Sequence, residues 1–336
     1  MYDIAEHVQR WLDDGRCVQV AQVVATRGFS SREPSAGLAW TDEGESIGAL
    51  FPGLDDELIT TGAGLTGQLV ERTLSDADAV PGGLSCGGLA SILVHDAGSL
   101  PGGVWARLAR HEPLCLVSVI RSGDLITTHA FTPADVRDAA QIPGAQEVPR
   151  LFARGTSATA LIAADDASVA AVTLWPPTNL LVVGDGNIAA ALADAAALLG
   201  WGSTVVNDAT SAVETAASLA ESDAVVVLSH DREVDVPALA AVLGRPVGYV
   251  GGLGSRRTQA ARRNGLIERG IPTEQLDRIH GPAGLDIDAH TPAEIAVSIV
   301  AEVLAGRSGS SGGSISKRGG PVHTGGVHAP PPRHGH

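Results

Sequence analysis

The chain has 336 residues, 44% of them apolar, and carries 38 acidic against 23 basic side chains for a formal charge of −15. That length supports about two domains with cores of their own, while the acidic balance argues against a nucleic-acid or anionic-membrane surface, whose phosphates would be repelled. Cys17, Cys86 and Cys115 form no CxxC pair, so neither a disulfide framework nor a zinc knuckle is indicated, and no apolar run is long enough for a membrane span.

The opening MYDIAEHVQRWLDDG lacks the basic-then-apolar order of a signal peptide, so a reducing, cytoplasmic location is expected. Ile4, Val8, Trp11 and Leu12 fall at helical spacing and predict a surface helix. The run CVQVAQVVA from Cys17 to Ala25 reads as a strand and ends in the turn-forming stretch TRGFSSREPSAG. Short strands are expected at Leu38–Thr41 and Ile47–Phe51, then a helix over Asp55–Leu74. The Gly-rich loop PGGLSCGG leads into the strand LASILVH. Further strand-like runs follow: PLCLVSVI, DLITTHAF, ATALIAAD and VAAVTLW. Strands and helices mixed without regular alternation predict an α+β domain over 1–176, closed by Pro176 and Pro177.

Beyond the proline pair the pattern alternates regularly. LLVVG precedes IAAALADAAALLG, STVVND precedes a helix from about Ser211, AVVVLSHD precedes one from about Val236, and PVGYVGG precedes SRRTQAARR. Uniformly apolar strands of this kind are buried on both faces of a parallel sheet. The fold class is therefore α/β, with a Rossmann-like parallel sheet over 177–306 behind the α+β domain. The last helix carries clear start signals in Thr291, Pro292 and Glu294. From residue 307 the composition turns to Gly, Ser, Pro and His, which bury too little surface to order a chain, so a disordered tail is expected over 307–336.

Gly184-Asp185-Gly186-Asn187-Ile188-Ala189 matches G-x-G-x-x-A between a predicted strand and a predicted helix. Gly184 allows the tight turn, Gly186 lets backbone approach a pyrophosphate, and Ala189 keeps the helix close to the sheet. Asp208 closes the second strand at the distance where an acid binds ribose hydroxyls, which favours NAD over NADP. Asp185 adds a negative charge beside the phosphates. Polar residues also end the later strands: Ser229, His230 and Asp231, then Gly251, Gly252, Gly254, Ser255, Arg256 and Arg257. Ser255 reads as a helix cap or a ligand contact, and the two arginines as solvated or as partners of phosphate or carboxylate. His230 reads as an acid/base group or as a structural hydrogen-bonding one.

The ordered run of GDGNIA, VVVLSHD, YVGGLGSRRT, RIHGPAGLDI and HTPAEIAVSIVAEVLA resembles the XdhC/CoxI family of accessory factors for molybdenum hydroxylases. Asp185 and Asn187 depart from that family's usual GAGHVA-like loop. In the amino-terminal half, TRGFSSREPSA resembles the family's Thr-x-Gly-Ser-Ser-Pro-Arg loop, with Ser30 and Arg32 kept, and Leu84-Ser85-Cys86-Gly87-Gly88 resembles its Thr-Cys-Gly-Gly loop. Leu54 stands where the family has a second cysteine, which removes any mechanism needing two thiols. The resemblance implies a maturation factor that binds molybdenum cofactor and assists its sulfuration and insertion. Its implied partners are a molybdenum hydroxylase, a cysteine desulfurase and a second copy of the chain.

Cys86 sits among Gly82, Gly83, Gly87 and Gly88, whose amides could form an anion nest that favours a thiolate suited to carrying sulfur or touching a metal; the alternative is a small buried residue in a tight turn. Cys17 and Cys115 lie in strand-like runs and are expected in the core. His323, His328, His334 and His336 suggest a solvated tail or a metal-scavenging one, and no built metal site is expected. Two readings compete with the accessory factor, which is favoured: an NAD(P)-dependent oxidoreductase, although no Tyr-x-x-x-Lys pair is present, and a nucleotide-sensing regulator.

Overall fold

A computed structural model describes residues 1–27, 33–51, 54–62, 65–74 and 88–317. The chain divides after Pro176 into two compact units.

In the first unit, helix α1 (Tyr2–Asp13) buries Tyr2, Ile4, Ala5, Val8 and Trp11, the stripe that helical spacing dictates. The strands are β1 (Val18–Arg27), β2 (Leu38–Thr41), β3 (Ser46–Gly48), β4 (Gln68–Leu74), β5 (Gly88–Asp96), β6 (Leu114–Arg121), β7 (Asp124–Phe131), β8 (Ala158–Ala164) and β9 (Ala167–Leu174). They pair antiparallel in the order β3-β2-β1-β5-β4-β7-β6-β9-β8. Short helices α2 (Asp55–Thr61), α3 (Val104–Ala109) and α4 (Val148–Phe152) complete it. Alternate residues of one strand feed opposite faces. Val18, Val20 and Val24 of β1 pack with α1 and α3, whereas Ala21 and Val23 join Trp40, Phe51, Leu54 and Leu58.

Two expectations are corrected here. The helix expected over Asp55–Leu74 ends at Thr61, and Gln68–Leu74 is a strand paired with β5 along its whole length. Gly62 and Gly67 break the helix, and Gly67 adopts φ +76°. Cys17 is exposed rather than shielded, because the ladder begins one residue later at Val18. Cys115 is fully buried, and desolvation pushes its thiol up to about 12.

His95 on β5 is 3% exposed, its Nδ1 has no hydrogen-bond partner, and burial pulls its pKa down to about 4. A histidine depressed in the folded state stabilises fully above its unfolded pKa near 6.5, and this contribution is lost as pH falls toward 4. The loss amounts to about 3 kcal/mol. Urea titrations between pH 7 and 4 are expected to show that decline in the parent, and a difference of this size relative to His95→Leu. Parallel pH profiles for the two proteins would mean that His95 is not buried neutral.

The second unit holds five parallel strands: β10 (Asn179–Val183), β11 (Gly202–Val206), β12 (Ala224–Val227), β13 (Tyr249–Gly252) and β14 (Ile279–His280), in the order β11-β10-β12-β13-β14. Helices α5 (Asn187–Leu198), α6 (Ala209–Ala216), α7 (Arg232–Leu243), α8 (Arg256–Glu268), α9 (Thr273–Leu276) and α10 (Pro292–Ser308) follow the strands. Leu181, Val183, Val225 and Val227 pack toward α7 residues, while Leu180, Val182, Ala224 and Val226 pack toward α5 and α10. Strands β10, β12 and β13 are thus covered on both faces, whereas β11, expected to be buried with them, lies at the sheet edge with residues 202–205 exposed. The α/β class with an antiparallel first domain is the observed one.

Helix α7 starts at Arg232, ahead of the expected Val236, because the Asp231 side chain accepts from the Glu233 amide at 2.9 Å and caps it. Helix α10 has the complete Thr291–Glu294 capping box. It runs past Gly306 to Ser308. Arg307 donates to the Thr178 hydroxyl and the Ser222 carbonyl and lies 5.1 Å from the Trp201 ring centre, and burial pulls its pKa down to about 10. Ile315–Lys317 forms a 3₁₀ turn, and the tail histidines lie outside the described residues. Among the described residues no helix is long and apolar enough to cross a membrane.

Candidate functional site

In an open parallel sheet, the chain leaves neighbouring strands in opposite directions at one point, and a crevice forms there beyond the strands' carboxyl ends. Here that point lies between β10 and β12: β10 continues into α5 toward β11, and β12 continues toward β13. A cavity of about 620 Å³ occupies it. Its walls are Gly184, Asp185, Asn187 and Ile188 after β10, Asn207 after β11, Leu228 to Asp231 after β12, Leu253 after β13, and Pro292 at the start of α10.

The two glycines of the fingerprint have different tasks. Gly184 has φ +123°, and a Cβ there would stand 2.8 Å from the Ser229 amide nitrogen. It permits the close approach of the β10 and β12 ends, where the Leu228 and Ser229 amides both donate to the Val183 carbonyl, at 2.8 and 3.1 Å. Gly186 caps α5 with φ +88° and ψ −168°, and a Cβ there would meet no atom within 4 Å. This backbone conformation is essentially reserved for glycine. The open space next to it, at a helix amino terminus, is what an anion-binding turn requires. Ala189 is 2% exposed and packs α5 onto the sheet.

The other sequence candidates separate. His230 is exposed and lines the cavity between Ser229 and Asp231. Asp208 caps α6 by accepting from the Ser211 amide at 2.9 Å, and hydrogen bonding from the Ser211 side chain, then from its amide, holds the Asp208 carboxyl below the usual range. The neighbouring Asn207 is the residue on the cavity wall. Gly252 is buried behind the wall, where a Cβ would meet Arg262 at 2.8 Å. Ser255 caps α8 by accepting from the Thr258 amide at 3.3 Å. Arg256 and Arg257 are exposed, and neither lines the cavity.

Ser30, Arg32 and Cys86 lie outside the described residues. The strands leading to them do meet: Arg27 is the register partner of Leu89, and Gly88 that of Leu74. Glu57 of α2 reaches Arg72 of β4 at 3.0 Å. Leu54, in the place of the family's second cysteine, is 7% exposed among apolar neighbours. Among the described residues no group of three or more His, Cys, Asp or Glu side chains could hold a metal ion.

Sequence reasoning missed Asn207, because spacing alone does not tell it from Asp208. It also missed a buried ion pair behind the cavity, Arg262 to Asp235 at 2.7 Å, with side chains 4% and 2% exposed. Burial pushes the Asp235 carboxyl up against the opposing pull of Arg262. No motif marks these two positions.

Parallel order, glycine turn and switch-point cavity together define a Rossmann-type domain. Residues 180–303 match the family described as the XdhC Rossmann domain. The carboxyl-terminal unit belongs to the XdhC family. The chain is 31% identical over 132 residues to the molybdenum cofactor insertion chaperone PaoD of Escherichia coli (strain K12), covering 39% of this chain and 41% of that protein. It is 29% identical over 159 residues to the uncharacterized protein YqeB of the same organism, covering 41% of this chain and 29% of that protein. The chain thus spans less than half the length of these curated relatives. A crystal structure described as a xanthine dehydrogenase from Bacillus halodurans superposes with a TM-score of 0.53 at 19% identity, covering 92% of this chain and 97% of that one. This likeness bears on the fold.

Proposed function

We propose that this protein is an accessory factor of a molybdenum hydroxylase and that its switch-point crevice holds a phosphate-bearing cofactor. The observation that carries the reading is the open Gly186 turn at the start of α5, inside a domain of the XdhC family. The relation to PaoD, a molybdenum cofactor insertion chaperone, supports the accessory role.

The residues present fit a phosphate. Among the described residues no arginine or lysine lines the cavity, so recognition rests on the first amides of α5 and the helix dipole, with Asp185 opposing excess negative charge. Asn207 offers an amide to a ribose or other polyhydroxyl group, and His230 is placed to take or give a proton at the ligand. NAD(P) and the phosphorylated molybdenum cofactor share this phosphate chemistry. When bound, the molybdenum cofactor supplies the redox centre destined for the hydroxylase. Cys86 is our candidate for sulfur handling, with a cysteine desulfurase as the sulfur source, and we extend the reading to a homodimer in the cytoplasm.

The test is deletion of this protein in its own cells, followed by purification of the molybdenum hydroxylases. Molybdenum content and activity are expected to fall while hydroxylase polypeptide persists. Full cofactor occupancy without this protein would overturn the accessory role. Native mass spectrometry of the purified protein is expected to find a phosphate-bearing ligand retained, and steady NAD(P)H turnover with a small substrate would instead make it an oxidoreductase.

A further inference from the structure

Behind the crevice, one side chain touches two of its walls. The Arg262 guanidinium, on α8, donates through Nη2 to the Ser229 carbonyl at 2.5 Å and through Nη1 to the Leu253 carbonyl at 2.6 Å. Ser229 and Leu253 both line the cavity, one after β12 and the other after β13. The Nε donates to Asp235 on α7 at 2.7 Å, and Nη1 also reaches Gln259 at 3.3 Å. Gln259 in turn donates to the Gly252 and Gly254 carbonyls, at 2.8 and 3.2 Å. The carbonyls of three consecutive residues at the end of β13, Gly252 to Gly254, together with that of Ser229, are therefore held by two side chains one turn apart on α8.

We infer that Arg262 is the positioning residue of the switch-point crevice, fixing the width between its Ser229–Asp231 wall and its Leu253 wall. Only a guanidinium can do this. Its planar fork reaches two carbonyls and a carboxylate at fixed angles, whereas an ammonium is a single point of charge. A plain fold staple would need the charge pair alone, and the two Arg262 contacts to the cavity-lining Ser229 and Leu253 carbonyls would then be superfluous. The Leu253 amide donates to Val227 and the Asp231 amide to the Ser229 hydroxyl, at 2.8 and 3.0 Å, so their protection reports how tightly the clamped loops are held. The identity of the ligand rests on the function proposed above, whereas the clamp itself does not.

The experiment uses the full chain with Arg262→Lys, which keeps a positive partner for Asp235, and the double variant Arg262→Met/Asp235→Leu, which removes both charges and leaves no lone one. Hydrogen exchange at residues 229–231 and 253 is expected to accelerate tenfold or more in both, with exchange in β10 and α5 unchanged. NAD affinity by calorimetry is expected to fall at least tenfold in variants that melt near the parent. Unchanged exchange at those amides in either folded variant overturns the clamp. If the parent shows no NAD binding at all, NAD is not the ligand of the crevice, while the exchange result still decides the role of Arg262. If affinity falls only in proportion to melting temperature across both variants, Arg262 is a fold staple and the inference is wrong.

Discussion

Gly186→Val is expected to weaken NAD binding by at least a hundredfold, about 2.7 kcal/mol. Two effects combine. The backbone at Gly186, with φ +88° and ψ −168°, lies where only glycine is at ease, so a β-branched residue costs of the order of 1–3 kcal/mol or shifts the turn. The new side chain also projects into space free of protein atoms within 4 Å, which is the space a phosphate needs to reach the α5 amides. The control is Gly200→Val. Gly200 also has positive φ, at 69°, and open surroundings, but it follows the carboxyl end of α5, away from the cavity. That variant is expected to carry backbone strain and bind NAD as the parent does. Calorimetry on both decides it. Equal NAD affinity for Gly186→Val and the parent would remove this turn from the ligand site.

Asp235→Ala is expected to be the most damaging single substitution for the stability of the carboxyl-terminal unit. It strands the Arg262 guanidinium, 4% exposed, without its counter-ion. Breaking a buried pair from one side costs about 3–5 kcal/mol, because the remaining charge keeps its desolvation penalty. For a domain of this size that corresponds to a fall in Tm of roughly 10 °C or more. Arg262→Met in the same chain is expected to recover much of the loss, since no isolated charge then remains. Calorimetric scans of the single and double variants provide the measurement. A Tm for Asp235→Ala within a few degrees of the parent would show that water reaches the pair, contrary to its burial.

Much of the second unit was legible in the sequence because its signals are local. Apolar runs at 180–183 and 224–227, a glycine turn between them and a capping box at Thr291 each act within a few residues. The first unit was harder to read. Its strands pair across long separations, and β4 falls within the segment expected to be helical, Asp55–Leu74. Only the partner strand β5 decides that segment.

The same division runs through the site. The sequence by itself determined the α/β class, the glycine turn at 184–186 and the placing of His230 after a buried strand, since each depends on residues adjacent in the chain. Tertiary structure alone decided which polar group at the end of β11 meets the cavity. Asp208 is committed to the α6 cap, so Asn207 takes the wall, a choice set by where the helix starts rather than by spacing. It alone also decided that Arg262, to which the sequence assigned no role, is buried against Asp235 and the loop carbonyls. Burial of a charge is set by what packs around it, and those partners come from α7, β12 and β13, 9 to 33 residues away for the hydrogen bonds concerned.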